Sequence, residues 1–202
     1  MSRRVLSRCC LAALAALFGV ALWAAPADPS RAEAMSLRQK VADVAAFGER
    51  PPQRINRTTI TEGELNSYLA YDGREQLPPG IVDPIVSMSG TGHVSAKATV
   101  DLDAVRRQKT SRGLLDPLSY ASGRLTVTAS GVLTAANGVG RFSLDSATMA
   151  GVPIPKSLLQ EVVSYYSRTP GNPAGFGLDD PFPLPARIRE IQVETGRAVV
   201  IQ

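Results

Sequence analysis

Hydrophobic and polar residues alternate along three stretches of the chain. Residues 94–102 carry an apolar side chain at every second position, with serine, lysine, threonine and aspartate between them. Residues 125–133 and 142–144 repeat this pattern. A period of two predicts β-strands that turn one face inward and the other outward. Asn137-Gly138, which separates the last two stretches, predicts a tight hairpin between them.

The end of the chain has the pattern of a second hairpin. Thr195-Gly196 separates the apolar-rich residues 188–194 from the similar run Arg197–Ile201. Glycine adopts the positive φ angles of tight turns without steric cost. We therefore expect the chain to end in an antiparallel pair of strands.

Two helices are predicted before the strands. Thr61 and Glu64 have the spacing of a capping box, which predicts that a helix begins after Thr61 and brings Leu65, Tyr68 and Leu69 together. Residues 34–47 have the spacing of an earlier helix. Its apolar stripe is expected to contain Leu37, Val41, Val44 and Ala45.

A third helix is predicted between the strands and the final hairpin. Pro155 suits the first turn of a helix, and the Gly- and Pro-rich loop of residues 169–185 follows its end. A run of long strands with helices before and after it predicts an α+β domain with a meandering antiparallel sheet. The broad apolar face of this third helix contains Leu158, Leu159, Val162, Val163, Tyr165 and Tyr166.

Residues 1–27 have the three parts of a secretory signal peptide. Three arginines in the first eight residues precede an uncharged run, and Ala25-Pro26-Ala27 has small residues at the positions that a signal peptidase reads. We therefore expect an exported protein, periplasmic or extracellular. The alternative is an uncleaved anchor that holds the protein at a membrane surface, because the run has about the minimum length of a spanning helix.

Removal of this signal changes the charge and the chemistry of the chain. The mature part has 19 basic against 18 acidic side chains, too small a surplus to neutralise phosphates, so we expect no binding of nucleic acid. Cys9 and Cys10 leave with the signal, which excludes disulfides and thiol catalysis from the mature form. We predict an N-terminal helix and linker over residues 28–57 and a single domain over residues 58–202.

The sequence contains no recognisable catalytic constellation. His93 is the only histidine, and nothing local supports a catalytic triad or a zinc site around it. Asp101 and Asp103 are expected on the same side of a strand end, where two carboxylates can bind calcium or act as an acid–base pair. A solvated strand end is the more frequent explanation of such a pair. We expect no enzyme, cofactor or metal; an enzyme centred on these residues is the remote alternative.

Three short motifs follow one another within residues 58–202. TITEGELNSYL at 59–69 runs from a strand into a capped helix, and MAGVPIPKSLL at 149–159 ends a strand in Gly-x-Pro-x-Pro before a helix. LPARIREIQVETGRAVV at 184–200 enters the closing hairpin through Leu-Pro. Their order resembles the LmeA-like phospholipid-binding proteins that bacteria export, which are similar to tubular lipid-binding (TULIP-like) folds.

This resemblance implies a curved antiparallel sheet that is wrapped on amphipathic helices around an apolar groove. Such a groove would bind lipid or another hydrophobic small molecule without catalysis, since each buried methylene contributes about 0.8 kcal/mol. The many Ala and Gly residues of the strands leave room for a ligand or allow close packing. The alternative is a structural or assembly protein of the cell envelope with a filled core and a protein partner. The resemblance assigns the groove to Leu65, Leu69, Val100, Val127, Phe142, Leu144, Leu158, Val162 and Tyr165.

Overall fold

A computed structural model describes residues 28–50, 54–74, 77, 80–108, 122–166, 168 and 171–202. The predicted signal peptide lies outside these residues, as do the side chains of Val162, Tyr165 and Tyr166. The described residues form a mixture of helices and antiparallel strands, which confirms the predicted α+β class. Among the described helices, none has both the length and the apolar character that crossing a membrane requires.

The elements follow one another in the predicted order, with additional short ones. They are α1 (Arg31–Glu49), β1 (Arg57–Thr61), α2 (Glu62–Tyr71), β2 (Ile81–Gly90), β3 (His93–Asp101), α3 (Leu102–Gln108), β4 (Arg124–Ala136), β5 (Val139–Met149), β6 (Val152–Pro153), α4 (Lys156–Tyr166), β7 (Phe182–Pro183), β8 (Glu190–Glu194) and β9 (Arg197–Ile201).

The larger of the two sheets is an antiparallel meander. Its strands lie in the order β2-β3-β4-β5-β6, and β7 pairs with the outer edge of β5. The predicted hairpin between β4 and β5 is confirmed. Asn137 and Gly138 have φ angles of 54° and 78°, the positive values that a type I′ turn requires.

The smaller sheet contains the final hairpin. β8 and β9 pair as predicted, but β9 then pairs with β1, so the hairpin does not extend the meander. Val44 of α1 packs with Ile188 and Val200 to form a hydrophobic core beside this sheet. The first strand and the last strand of the described chain are thus neighbours.

The buried stripe of α1 differs from the predicted one. Leu37 and Val44 are buried, but Val41 is 48% exposed and Ala45 is also exposed. The remaining buried positions are Ala34 and Gly48. A Cβ atom at Gly48 would lie 2.5 Å from the carbonyl oxygen of Ala186, so the chain passes close to this side of α1, which also faces α2 through Ser36 and Glu64.

The second helix covers the free edge of β2 with polar side chains. The Asn66 amide donates to the carbonyl of Val86 at 2.9 Å and accepts from its N–H at 2.7 Å. A carboxylate oxygen of Glu62 accepts from the N–H of Met88 at 2.8 Å. Two side chains thus take the place of a neighbouring strand and protect the edge.

Candidate functional site

The larger sheet has one apolar and one polar face because β3, β4 and β5 keep their alternation in register. Ala98 lies opposite Val127 and Val100 opposite Leu125, whereas Lys97 lies opposite Thr128 on the other side of the sheet. A bulge between Ser130 and Gly131 keeps the two patterns aligned between β4 and β5. The apolar face comprises Val86, Met88, Val94, Ala96, Ala98, Val100, Leu125, Val127, Ala129, Gly131, Leu133, Ala135, Phe142, Leu144, Ala147 and Met149.

Four of the residues assigned to the predicted groove share this apolar face. Val100 and Val127 lie on β3 and β4 towards the end where α3 begins, and Phe142 and Leu144 lie on β5. All four are half-buried. The strand register therefore brings them to the same side of the sheet.

The helical residues that were assigned to the predicted groove differ in how far they are buried. Leu65 and Leu69 of α2 are half-buried, and the fully buried positions of that helix are polar. Leu158 of α4 is 49% exposed, and its assignment to a groove stays a prediction. Gln160 of α4 accepts from the N–H of Leu178 at 2.7 Å, which attaches the helix to the loop before β7.

The end of the apolar face nearest the smaller sheet is filled. Met88 and Ala135 are buried there, and so is Val193 of β8. The small strand residues allowed either space for a ligand or close packing, and at Gly131 the packing is close: a Cβ atom there would lie 2.6 Å from the ring of Phe142. The aromatic ring occupies the room that the glycine provides.

The other end of the apolar face is open to solvent among the described residues. Ala96 is exposed, and Ala98, Val100 and Val127 are only half-buried. Val152 of β6, which pairs with Met149, is 66% exposed. Four residues along a strand and three neighbouring strands give this open patch dimensions of about 13 Å by 10 Å.

The polar face carries two depressions, of about 440 and 380 Å³. Four serines, Thr128 and Lys97 line the larger one over β2 to β5, together with Ile85, Ala96 and Ala129. The smaller one lies at Arg141 and Ser143 of β5, beside an ion pair in which Lys156 donates to Asp179 at 2.9 Å. Neither depression is on the apolar face, where we expected the ligand.

The candidate catalytic residues have local structural roles. His93 is exposed, and its Nδ1 lies 3.2 Å from the Thr91 hydroxyl. Asp101 and Asp103 do not share one side of a strand, because α3 begins at Leu102 and breaks the alternation. Among the described residues, no cluster of three or more histidine, cysteine, aspartate or glutamate side chains is placed to hold a metal ion.

Each aspartate of this pair binds a different part of the backbone. Asp101 accepts from the N–H of Ala104 at 2.9 Å and from Arg124 at 3.4 Å. The backbone hydrogen bond, supported by the Arg124 guanidinium, lowers the pKa of Asp101 below its ordinary value. Asp103 accepts from the N–H of Gly123 at 3.3 Å. These bonds fix the start of α3 against β4.

A charged hydrogen-bond network joins α1 to the first turn of α2. The Glu64 carboxylate accepts from the Lys40 ammonium at 2.6 and 2.7 Å, from the Ser36 hydroxyl at 2.6 Å and from the N–H of Thr61 at 2.9 Å. Burial raises the pKa of Glu64, but these hydrogen bonds and the Lys40 charge outweigh it and lower the pKa to about 2. The capping-box spacing indicated Glu64 in the sequence; no pattern indicated its distant partners.

Comparison with known proteins identifies no relative of this chain. No family model, no curated protein and no solved structure matches the chain. The resemblance to LmeA-like proteins stays a prediction from the sequence.

Proposed function

We propose that this protein binds lipid acyl chains non-covalently in the cell envelope, through the open end of the apolar face. The observation that carries the proposal is a contiguous set of half-buried and exposed aliphatic side chains on three adjacent strands. Ala98, Val100 and Val127 form its centre. Water contact with such a surface is unfavourable, so covering it with hydrocarbon lowers the free energy.

The chemistry of the patch suits a hydrocarbon. Its centre contains aliphatic side chains and no charge, so an acyl chain would lose no hydrogen bond there. About ten buried methylenes contribute roughly 8 kcal/mol. This equals the free energy of a micromolar complex before the cost of ordering the chain is subtracted. The predicted export signal accords with a role in the envelope.

A matched pair of variants tests the proposal. Ala98→Glu places a charge in the middle of the patch, whereas Thr126→Glu places the same charge next to Val127 on the polar face. We expect native mass spectrometry of the purified protein to show co-purified lipid. Titration with a fluorescent fatty acid should give at least about tenfold weaker binding for Ala98→Glu. A tenfold change corresponds to about 1.4 kcal/mol of binding free energy, and an unpaired charge buried against an acyl chain costs more than that.

The same measurements provide the control and the results that would contradict the proposal. Thr126→Glu should bind the fatty acid as the unmodified protein does, and circular dichroism should show both variants folded. No co-purified lipid together with no uptake of fatty acid by the unmodified protein would refute the proposal. Equal weakening in both variants would show that the apolar face is not the binding surface.

The second candidate is a structural or assembly protein of the envelope that covers the same patch with a protein partner. The filled end of the apolar face, where the Phe142 ring packs over Gly131, favours it. Affinity purification would then recover one stoichiometric protein and no lipid. Loss of that protein in Ala98→Glu, with retention in Thr126→Glu, would select this candidate over lipid binding.

A further inference from the structure

The larger depression of the polar face is lined by a row of short hydroxyl side chains in register, and Ile85 lies beside this row, opposite Lys97. Ser87, Ser95, Ser130 and Ser146 lie opposite one another on β2, β3, β4 and β5, so their hydroxyl groups form one row across four strands. Short side chains flanked by longer ones leave a volume of about 440 Å³ above the sheet. This is space for a small molecule rather than for a single ion.

The hydroxyl groups retain hydrogen atoms that can be donated to a ligand. Ser130 and Ser146 lie 2.9 Å apart and bond to each other, and Thr128 bonds to Thr148 at 2.7 Å. Two hydroxyls that share one hydrogen bond use one of their two hydrogens. Each pair therefore keeps one donor, and either member can supply it by rotation.

The charge of the depression is positive. Lys97 is exposed and lies on the same face as Ser95, two residues further along β3. Among the described residues that line the depression, Lys97 carries the only charge, and no aspartate or glutamate is present. A flexible ammonium surrounded by hydroxyl donors and no carboxylate attracts a group that is rich in negatively charged oxygens.

We propose that this depression binds the phosphate group, or a similar tetrahedral oxyanion, of a small molecule. A phosphate accepts several hydrogen bonds at once, which matches an ammonium and a row of hydroxyls. A neutral sugar is a poorer fit, because the described lining offers no aromatic ring for it to stack on. The site lies on the face opposite the proposed acyl-binding patch and does not depend on that patch.

NMR titration of the isotope-labelled protein with glycerol 3-phosphate at constant ionic strength tests the proposal. We expect saturable shifts of the amide signals of Ser87, Ser95, Lys97 and Thr128. In Lys97→Gln the affinity should fall at least about tenfold, because a hydrogen bond from a charged donor is lost. A second titration with dihexanoyl phosphatidic acid below its micelle concentration distinguishes a lipid headgroup from a free phosphate ester.

Arg141→Gln is the matched control, since Arg141 is an exposed cation on the same face outside this depression. Its affinity for glycerol 3-phosphate should stay within about twofold of the unmodified protein, because it makes no contact there. Tighter binding of the lipid than of the ester would identify a headgroup as the source, and equal binding would identify the phosphate alone; both support the site. Unsaturable shifts, or equal losses in the two variants, overturn it.

Discussion

Glu64 makes the stability of the contact between α1 and α2 depend on pH. Its carboxylate is 10% exposed and is bound by Lys40, which is 31% exposed. The pKa of Glu64 falls from 4.5 in the absence of these contacts to about 2 in the folded chain. The unfolded chain therefore takes up the proton more readily, and acid favours unfolding.

This difference in pKa corresponds to about 3 kcal/mol of stability at neutral pH, since each pKa unit is worth about 1.4 kcal/mol. The contribution is complete above about pH 5 and is lost as the pH falls towards 2. At pH 3 about 1 kcal/mol should remain, because one pKa unit still separates the solution from the folded value. The Glu64→Gln variant lacks this titration.

Urea denaturation followed by circular dichroism measures the effect directly. We expect the free energy of unfolding of Glu64→Gln to lie about 3 kcal/mol below that of the unmodified protein at pH 7, and about 1 kcal/mol below it at pH 3. Glu194→Gln is the control: Glu194 forms an ion pair with Arg197 in which both side chains are over 40% exposed, so its removal should cost less than about 1 kcal/mol. A difference for Glu64→Gln that is the same at both pH values would refute the reasoning.

Three further changes test the packing around the sheet by the same denaturation assay. Asn66→Ala leaves the partly buried N–H and carbonyl of Val86 in β2 without their side-chain partner and should cost about 1–3 kcal/mol; Gln39→Ala, on the exposed side of α1, should cost less than about 0.5 kcal/mol. Gly131→Ala should cost more than about 2 kcal/mol, because its Cβ would meet the Phe142 ring and the backbone of β5; a neutral result would mean that the ring does not occupy this space. His93→Ala should change stability by less than about 0.5 kcal/mol, since the ring is exposed, and a larger loss would reveal a role that its surroundings do not indicate.

Local sequence signals were reliable for the elements of this protein. The capping box at Thr61 and Glu64 is formed as predicted, because both hydrogen bonds join residues three positions apart. The turns at Asn137-Gly138 and Thr195-Gly196 also lie where the sequence indicates them, since each needs only a local backbone conformation. The alternation of β3 and β4 determined which side chains share a face once the strands had paired.

Contacts between distant residues decided the rest. Val41 and Ala45 fit a helical stripe as well as Ala34 and Gly48 do, and tertiary contacts select the covered side of α1: the chain at Ala186 passes Gly48, and α2 packs on the same helix. In the same way, nothing in the final hairpin specifies β1 as its neighbour, and nothing local to Gly131 shows that the Phe142 ring fills the space above it.

The sequence by itself therefore determined the alternating faces, the helix cap and the turns, because neighbouring residues form them. Tertiary structure alone decided the two-sheet arrangement, the filled and open ends of the apolar face and the partners of Glu64, because these depend on which distant segments meet.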